Sequence, residues 1–388
     1  MKIFLRNVHL YLALAAGLVI MLSCATGAIM VFEDELDHMV NSKRYEVIPG
    51  DERLPLETLL KKLKQDNIPK AKLSAVKVFT DPRRSVEFAM VLSEKKGMGP
   101  QRDKEAVKGN EKKAKGGGKP GLFVYINPYT GQVLDVYNKR ESFFFKVEML
   151  HRFLLGGQNS IGKTIIGLST LSFLIITLTG IVLWWPKNKK ILIQRLKFKT
   201  DGSFKRLNHD LHIVTGFYTS LFLLVIIFTG LVMAFNWVNK GIFTLTGSSM
   251  ESPEPPSSVY QPGRKAISMG QAIQMIDLKA VEFYNIRTPK DSVGIYAVNV
   301  LPKGSMDNKS ETYFVDQYSG AVIGQLKFTD KNLGQRIRSY IKPIHTGELF
   351  GMPTKIINFI LALVTLSFPI TGVIMWINRT KKGRTNVK

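Results

Sequence analysis

Three things are scarce in this chain. Its 388 residues hold one cysteine, six histidines, and 30 acidic residues against 54 Lys and Arg. The lone Cys24 excludes a disulfide within the chain and reads as structural, because it lies inside an apolar run. The long apolar runs have no Asp or Glu in their interiors, so zinc or a di-iron centre, which want three or four clustered His, Cys or carboxylate ligands, fit poorly. HExxH, GxSxG, a Gly-rich phosphate loop, and flavin or nicotinamide fingerprints are also missing. The shortage of acid leaves a net charge of +24. No nucleic-acid partner is expected from it: the basic residues come in blocks that flank apolar runs, where topology and anionic headgroups account for them.

What is abundant is hydrocarbon in long runs. Four stretches, about 10–32, 164–185, 214–236 and 356–377, reach the roughly 20 residues needed to cross a bilayer. They lack the amphipathic period of helices buried in a soluble core. Basic segments orient them: MKIFLRN before the first, eight Lys or Arg in residues 187–206, and NRTKKGRTNVK after the fourth. By the positive-inside tendency both termini are cytoplasmic, and two long segments lie outside. The chain then divides into 1–32 (N-terminus and first span), 33–160 (first outer domain), 161–186 (second span) and 187–212 (basic cytoplasmic loop). There follow 213–237 (third span), 238–350 (second outer domain), 351–378 (fourth span) and 379–388 (cytoplasmic tail). A cleavable signal is the competing reading of the start, since LSCATGA offers small residues. The apolar run continues through Phe32, so an uncleaved anchor is expected.

The chain reads as built twice. The spans share an ending in CATGAIMVF, LTGIVLWW, FTGLVMAF and ITGVIMW, and each has a histidine near or ahead of its start: His9, His151, His212 and His345. His9 precedes Gly27 by 18 residues and His212 precedes Gly230 by 18; His151 precedes Gly180 by 29 and His345 precedes Gly372 by 27. The outer segments repeat too, LFVYINPYTGQVLDVY (122–137) matching ETYFVDQYSGAVIGQL (311–326), each a hairpin turning at Gly131 or Gly320. Both copies enter the membrane from the same side, which predicts two parallel repeats about an axis near the membrane normal.

That register pairs His9 with His212 near the cytoplasmic face and His151 with His345 near the outer face. Two neutral imidazoles facing each other across an apolar slot suit the axial positions of a b-type haem, one near each membrane face. Without a second cysteine or a c-type motif, any haem must be held noncovalently. Gly17, Gly27, Gly216 and Gly230 would admit a flat macrocycle, or serve small-residue helix packing. His209 shares a helix face with His212 and remains open as ligand, propionate partner or cap; His38 has no repeat partner and is expected in solvent or loop structure.

Outside the membrane, ETLLKKLKQ and MGQAIQMID read as helices, and 71–79, 84–92, 283–289 and 293–301 as strands beside the two hairpins. Each outer domain is thus a helix on a small antiparallel sheet. The Gly- and Lys-rich insert 94–120 reads as a disordered loop, and SPEPPSSVYQPG as a linker.

These pieces together resemble the PepSY-associated transmembrane family, which includes iron-regulated membrane proteins and ferrisiderophore reductases. The likeness is carried by VHLYLALAAGL, LHRFLLGG, HDLHIVTG and IHTGELFG, each with its TG, in order over nearly the whole chain. It departs at His9, followed by Leu-Tyr-Leu where an Arg or Trp is common, whereas His151 keeps its Arg152 neighbour. The resemblance implies an α-helical membrane protein of four transmembrane helices with two small extracytoplasmic α+β PepSY-like domains. It further implies an oxidoreductase of the bacterial inner membrane that binds haem through His9, His212, His151 and His345 and passes electrons to extracytoplasmic ferric iron, its partner being a ferric chelate or siderophore. The electron donor would be a separate protein, a quinol or a diffusible reductant. The other class left open is a non-redox module, whose outer domains bind or restrain an envelope protein while the spans anchor them.

Overall fold

A computed structural model describes residues 1–65, 71–92, 121–199 and 202–385. Its helices run α1 (Lys2–Val31), α2 (Glu33–Val40), α3 (Ser42–Tyr45), α4 (Leu56–Gln65), α5 (Phe143–Phe153) and α6 (Ile161–Trp184). They continue as α7 (Lys189–Arg195), α8 (Phe204–Ala234), α9 (Asn236–Leu245), α10 (Met269–Ile273), α11 (Leu333–Thr346) and α12 (Met352–Thr385). The strands are β1 (Ala71–Phe79), β2 (Val86–Leu92), β3 (Leu122–Ile126) and β4 (Val133–Asn138), then β5 (Val281–Arg287), β6 (Ile295–Pro302), β7 (Glu311–Asp316) and β8 (Val322–Leu326). Residues 1–34, 143–250 and 332–388 form a helical unit, and residues 35–142 and 251–331 form a sheet unit.

In the helical unit, α1, α6, α8 and α12 are long and apolar enough to cross a membrane. Most of their side chains find no cover within the protein: Leu18 is 79 % exposed and Leu221 69 %. Apolar surface on that scale needs a nonaqueous neighbour, and lipid supplies it. The helices outrun the apolar runs that mark them, α1 starting at Lys2 and α8 at Phe204. Hydropathy marks only the stretch inside hydrocarbon, whereas a helix continues wherever its residues tolerate one, as KRLNHDL does on α8. His9 and His212 therefore lie within long helices, while His151 and His345 ride on the short α5 and α11 that precede the other two spans. α1 packs on α12 at Gly17, where a Cβ would stand in van der Waals contact, 3.4 Å, with the Cβ of Pro369. After α5 the chain turns through Leu154 and Leu155, both with positive φ (46° and 67°), a conformation that branched L-residues rarely adopt.

The sheet unit differs from the expectation of two separate outer domains. Its eight strands form one antiparallel sheet in the order β4-β3-β2-β1-β5-β6-β7-β8. The junction is β1 against β5, where Val76 faces Ile286 and Phe79 faces Phe283. The physical reason is the edge: two four-stranded sheets would each leave a row of unpaired backbone groups, and here the two edges satisfy each other. One core runs across the seam, joining Leu59 and Leu63 of α4, Val76, Phe88 and Val124 of the first half, and Ala272, Ile286 and Val298 of the second. Glu57 of α4 also accepts a hydrogen bond from the Gly270 amide of α10 at 2.8 Å. Both hairpins turn at left-handed glycines, Gly131 (φ 74°) and Gly320 (φ 75°). The 94–120 insert lies outside the described residues.

Candidate functional site: two imidazole pairs in the helical unit

Each of the four spans contributes its Thr-Gly pair to one histidine, and always to a histidine from a different helix. His9 Nδ1 lies 3.1 Å from Thr179 Oγ1 of α6, and His151 Nδ1 lies 3.0 Å from Thr26 Oγ1 of α1. The same exchange occurs between the other helices: His212 Nδ1 is 2.8 Å from Thr371 Oγ1 of α12, and His345 Nδ1 is 3.0 Å from Thr229 Oγ1 of α8. All four threonines are buried.

The hydroxyl protons decide what these contacts are. Thr26 donates to Leu22 O at 2.7 Å, Thr179 to Ile175 O at 2.7 Å, Thr229 to Val225 O at 3.0 Å and Thr371 to Ser367 O at 2.8 Å. Each hydroxyl has only one proton, so toward the histidine its oxygen accepts. Nδ1 must then be the protonated nitrogen. A backbone carbonyl supports the assignment, because Nδ1 of His151 is also 2.9 Å from Ser23 O and that of His345 is 3.2 Å from Ile226 O, both acceptors only. Ile176 and Phe368, also three residues before a threonine, place their backbone beside His9 and His212. In a neutral imidazole the proton on Nδ1 leaves Nε2 with a free lone pair, the state required of a metal ligand.

The ring of each histidine lies against the helix at the glycine after the threonine. A Cβ at Gly180 would stand 3.3 Å from His9 Cε1, at Gly230 3.4 Å from His345 Cε1, at Gly372 3.4 Å from His212 Cε1 and at Gly27 3.5 Å from His151 Cε1. Gly27 and Gly230 thus hold histidines, Gly17 serves helix packing, and nothing stands near the Cβ position of Gly216.

So held, the histidines face each other in two pairs. The ring centroids of His9 and His212 are 6.3 Å apart with an interplanar angle of 75°, and those of His151 and His345 are 6.3 Å apart at 65°. With a metal–imidazole bond of about 2.0–2.1 Å and a ring nitrogen roughly 1.2 Å from its centroid, two imidazoles on opposite sides of one metal have centroids about 6.4 Å apart. The spacing fits. Among the described residues no group of three His, Cys, Asp or Glu side chains gathers as a metal site. Each pair therefore offers two nitrogens, and a group seated there must bring its remaining donors itself, as a haem macrocycle does.

Of the other histidines, His209 is not in the slot: it is 43 % exposed and sits 3.4 Å from Asp210 Oδ1. Asp210 is buried and also accepts from Arg206 Nε at 2.9 Å and from the Lys199 amide at 3.1 Å. His38, expected in solvent or loop, lies on α2 and stacks on Tyr45 at 3.8 Å in the sheet unit. That unit also buries charge. Arg44 pairs with Asp135 (2.6 Å) and Asp37 (3.2 Å), and burial pushes the Glu87 carboxyl up against the opposing pull of Lys77 and Arg84. Spacing along the sequence does not single out the four threonines. Their signal is the repeated TG itself, in which each threonine precedes the glycine at the ring.

A family model described as "PepSY-associated TM region" matches residues 6–379. No curated protein matches the chain.

Proposed function

The chain belongs to the PepSY-associated TM family, and from that premise we propose a haem-binding oxidoreductase of the bacterial inner membrane that delivers electrons to extracytoplasmic ferric iron, held as a chelate such as a ferric siderophore. The observation that carries this reading is the pair of imidazole pairs, each 6.3 Å between ring centroids and each with Nδ1 donating to a buried threonine. His9 and His212 would hold one b-type haem, and His151 and His345 a second. When bound, each haem supplies a one-electron ferric/ferrous couple whose potential follows from ligand identity and burial.

The chain's own residues do the rest. The threonine oxygens hold the proton on Nδ1 and so keep Nε2 available, and they fix each ring's rotation against its glycine. Apolar spans keep water from the slots. His9 and the Thr26 that orients His151 are seventeen residues apart on α1, as are His212 and Thr229 on α8. At 1.5 Å per residue that is about 25 Å, most of the roughly 30 Å hydrocarbon core. The basic segments flanking the spans support a cytoplasmic position for His9 and His212 and for both termini. The exchange of histidine and Thr-Gly between α1 and the α5–α6 segment is made again between α8 and the α11–α12 segment, which supports two parallel repeats. The donor is a separate protein, a quinol or a diffusible reductant.

Vesicles containing the purified, haem-loaded protein, with dithionite sealed inside and a ferric chelate outside, test this reading. External ferrous iron should appear at a rate well above that of protein-free vesicles, and His151→Ala or His345→Ala should abolish the excess. A rate equal to that of empty vesicles, from haem-loaded and correctly inserted protein, would refute electron delivery and leave an anchored binding module.

A further inference from the structure

Among the described residues of the helical unit, two buried side-chain donors have no partner: Arg6 Nε and Trp184 Nε1. The remaining buried orphan donors, on Arg84, Ser85 and Asn308, belong to the sheet unit. A buried donor left unsatisfied is destabilising, more so when it is charged, so these two call for an acceptor.

Both lie on the two helices that meet at His9. Arg6 precedes His9 by three residues on α1, which puts both on one helix face. Trp184 follows Gly180 by four residues on α6, and the Cβ position of Gly180 is 3.3 Å from His9 Cε1. The two helices run oppositely at this contact, so the backbone positions of Arg6 and Trp184 both fall about one helical turn from His9, toward the N-terminal end of α1. The Trp184 ring is fixed by stacking on Phe217 of α8 (3.6 Å, 7°), five residues after His212. Among the described residues no carboxylate is bonded to either donor. Asp210, the one described acidic residue at this end, is committed to Arg206, Lys199 and His209.

We propose that Arg6 and Trp184 form a carboxylate-binding subsite for the propionate side chains of a haem seated between His9 and His212. The proposal rests on the haem reading above and adds its orientation: the carboxylates point toward the N-terminal end of α1. A guanidinium and an indole N–H are both donors without acceptor capacity, which suits a carboxylate and disfavours a neutral ester. Among the described residues no buried orphan donor lies on α5 or α11, which carry the His151–His345 pair.

The test uses full-length protein made without haem and loaded with haem or with haem dimethyl ester, whose propionates carry no charge. Carrying His151→Ala and His345→Ala, the chain should prefer free haem over the ester by roughly tenfold or more, the loss expected for a charge-assisted contact. Arg6→Gln should remove most of that preference, Arg6→Lys should restore part of it, and Trp184→Phe, which keeps the stack on Phe217, should remove a smaller part. Carrying His9→Ala and His212→Ala instead, the chain should show no effect of Arg6→Gln. An equal preference in Arg6→Gln, Trp184→Phe and the parent chain overturns the subsite and leaves lipid headgroups as the partner of both donors. Failure to bind either compound overturns the haem reading itself, and this proposal with it.

Discussion

The two histidine pairs share their inner construction and differ in what surrounds it. Both have centroids 6.3 Å apart, and both orient each ring with a threonine oxygen on another helix. The His9–His212 pair is carried on two long spans, close to buried donors without partners. The His151–His345 pair is carried on the short α5 and α11, and its neighbouring Arg152 is already satisfied by Glu148 at 2.6 Å. Holding an imidazole in one tautomer needs only a Thr-Gly on a neighbouring helix, so that device is repeated four times. Contacts at the rim depend on which end of the unit is concerned, and they are not repeated.

The sharpest way to break this comparison is to remove ligands. His9→Ala and His212→Ala should each abolish the same haem absorbance component, and the double substitution should be little worse than either single one, as for groups that act as a unit. His151→Ala and His345→Ala should do the same to the other component. Low-temperature difference spectra read both, and loss of different components within one pair would dissolve the pairing. His209→Ala should shift the first component at most.

A smaller effect comes from the threonines. Thr179→Val or Thr371→Val removes the acceptor that keeps the proton on Nδ1, and partners of this kind are typically worth 10–100-fold in metal affinity. Thr26→Val and Thr229→Val should act on the second component alone. Haem titration of each variant checks this, and an unchanged affinity in all four would show that the backbone carbonyls suffice. Smaller again is the glycine effect. Gly180→Ala would place its Cβ 3.3 Å from His9, tighter than the 3.5 Å at Gly27 and His151, so it should broaden or shift the first component more than Gly27→Ala does the second.

The smallest effect lies in the sheet unit and should leave both haem components alone. Burial raises the Glu87 carboxyl, with Lys77 and Arg84 opposing and Tyr125 packed beside it. A carboxyl raised on folding favours the protonated state, so its contribution to stability is fully present below the ordinary value of about 4.3 and is lost as pH rises toward the folded value. Glu87→Gln should therefore raise the thermal midpoint at neutral pH by roughly a few degrees, with the gain vanishing below about pH 4. Melting curves of both chains across pH test the sign; a gain that grows as pH falls would contradict it.

Much of this was legible before the fold was known, and the reasons are specific. Long apolar runs marked the four spans, because hydrocarbon imposes a minimum length that composition records. The juxtaposition of His9 with His212 and of His151 with His345 was legible because matching spacings to the TG pairs, 18 and 18 for the first and 29 and 27 for the second, survive in both halves. The threonine contacts were not, since a hydroxyl's partner on another helix leaves no local pattern. Nor was the joining of β1 to β5, where residues 75–79 meet residues 283–287 across two hundred positions of chain. Each half carries a complete helix and hairpin, and nothing in either says that its edge will be paired. The orphan donors were equally silent: Arg6 reads as part of a basic leader and Trp184 as an interfacial aromatic until burial is known.

The central claim is that each imidazole pair holds one haem, and the pyridine haemochrome content of folded, purified protein from haem-replete cells tests it most directly. Two haems per chain are expected, extractable by acid acetone, falling to one in His9→Ala/His212→Ala and to one in His151→Ala/His345→Ala. A colourless folded protein, or two haems retained after both histidines of one pair are replaced, would contradict the account.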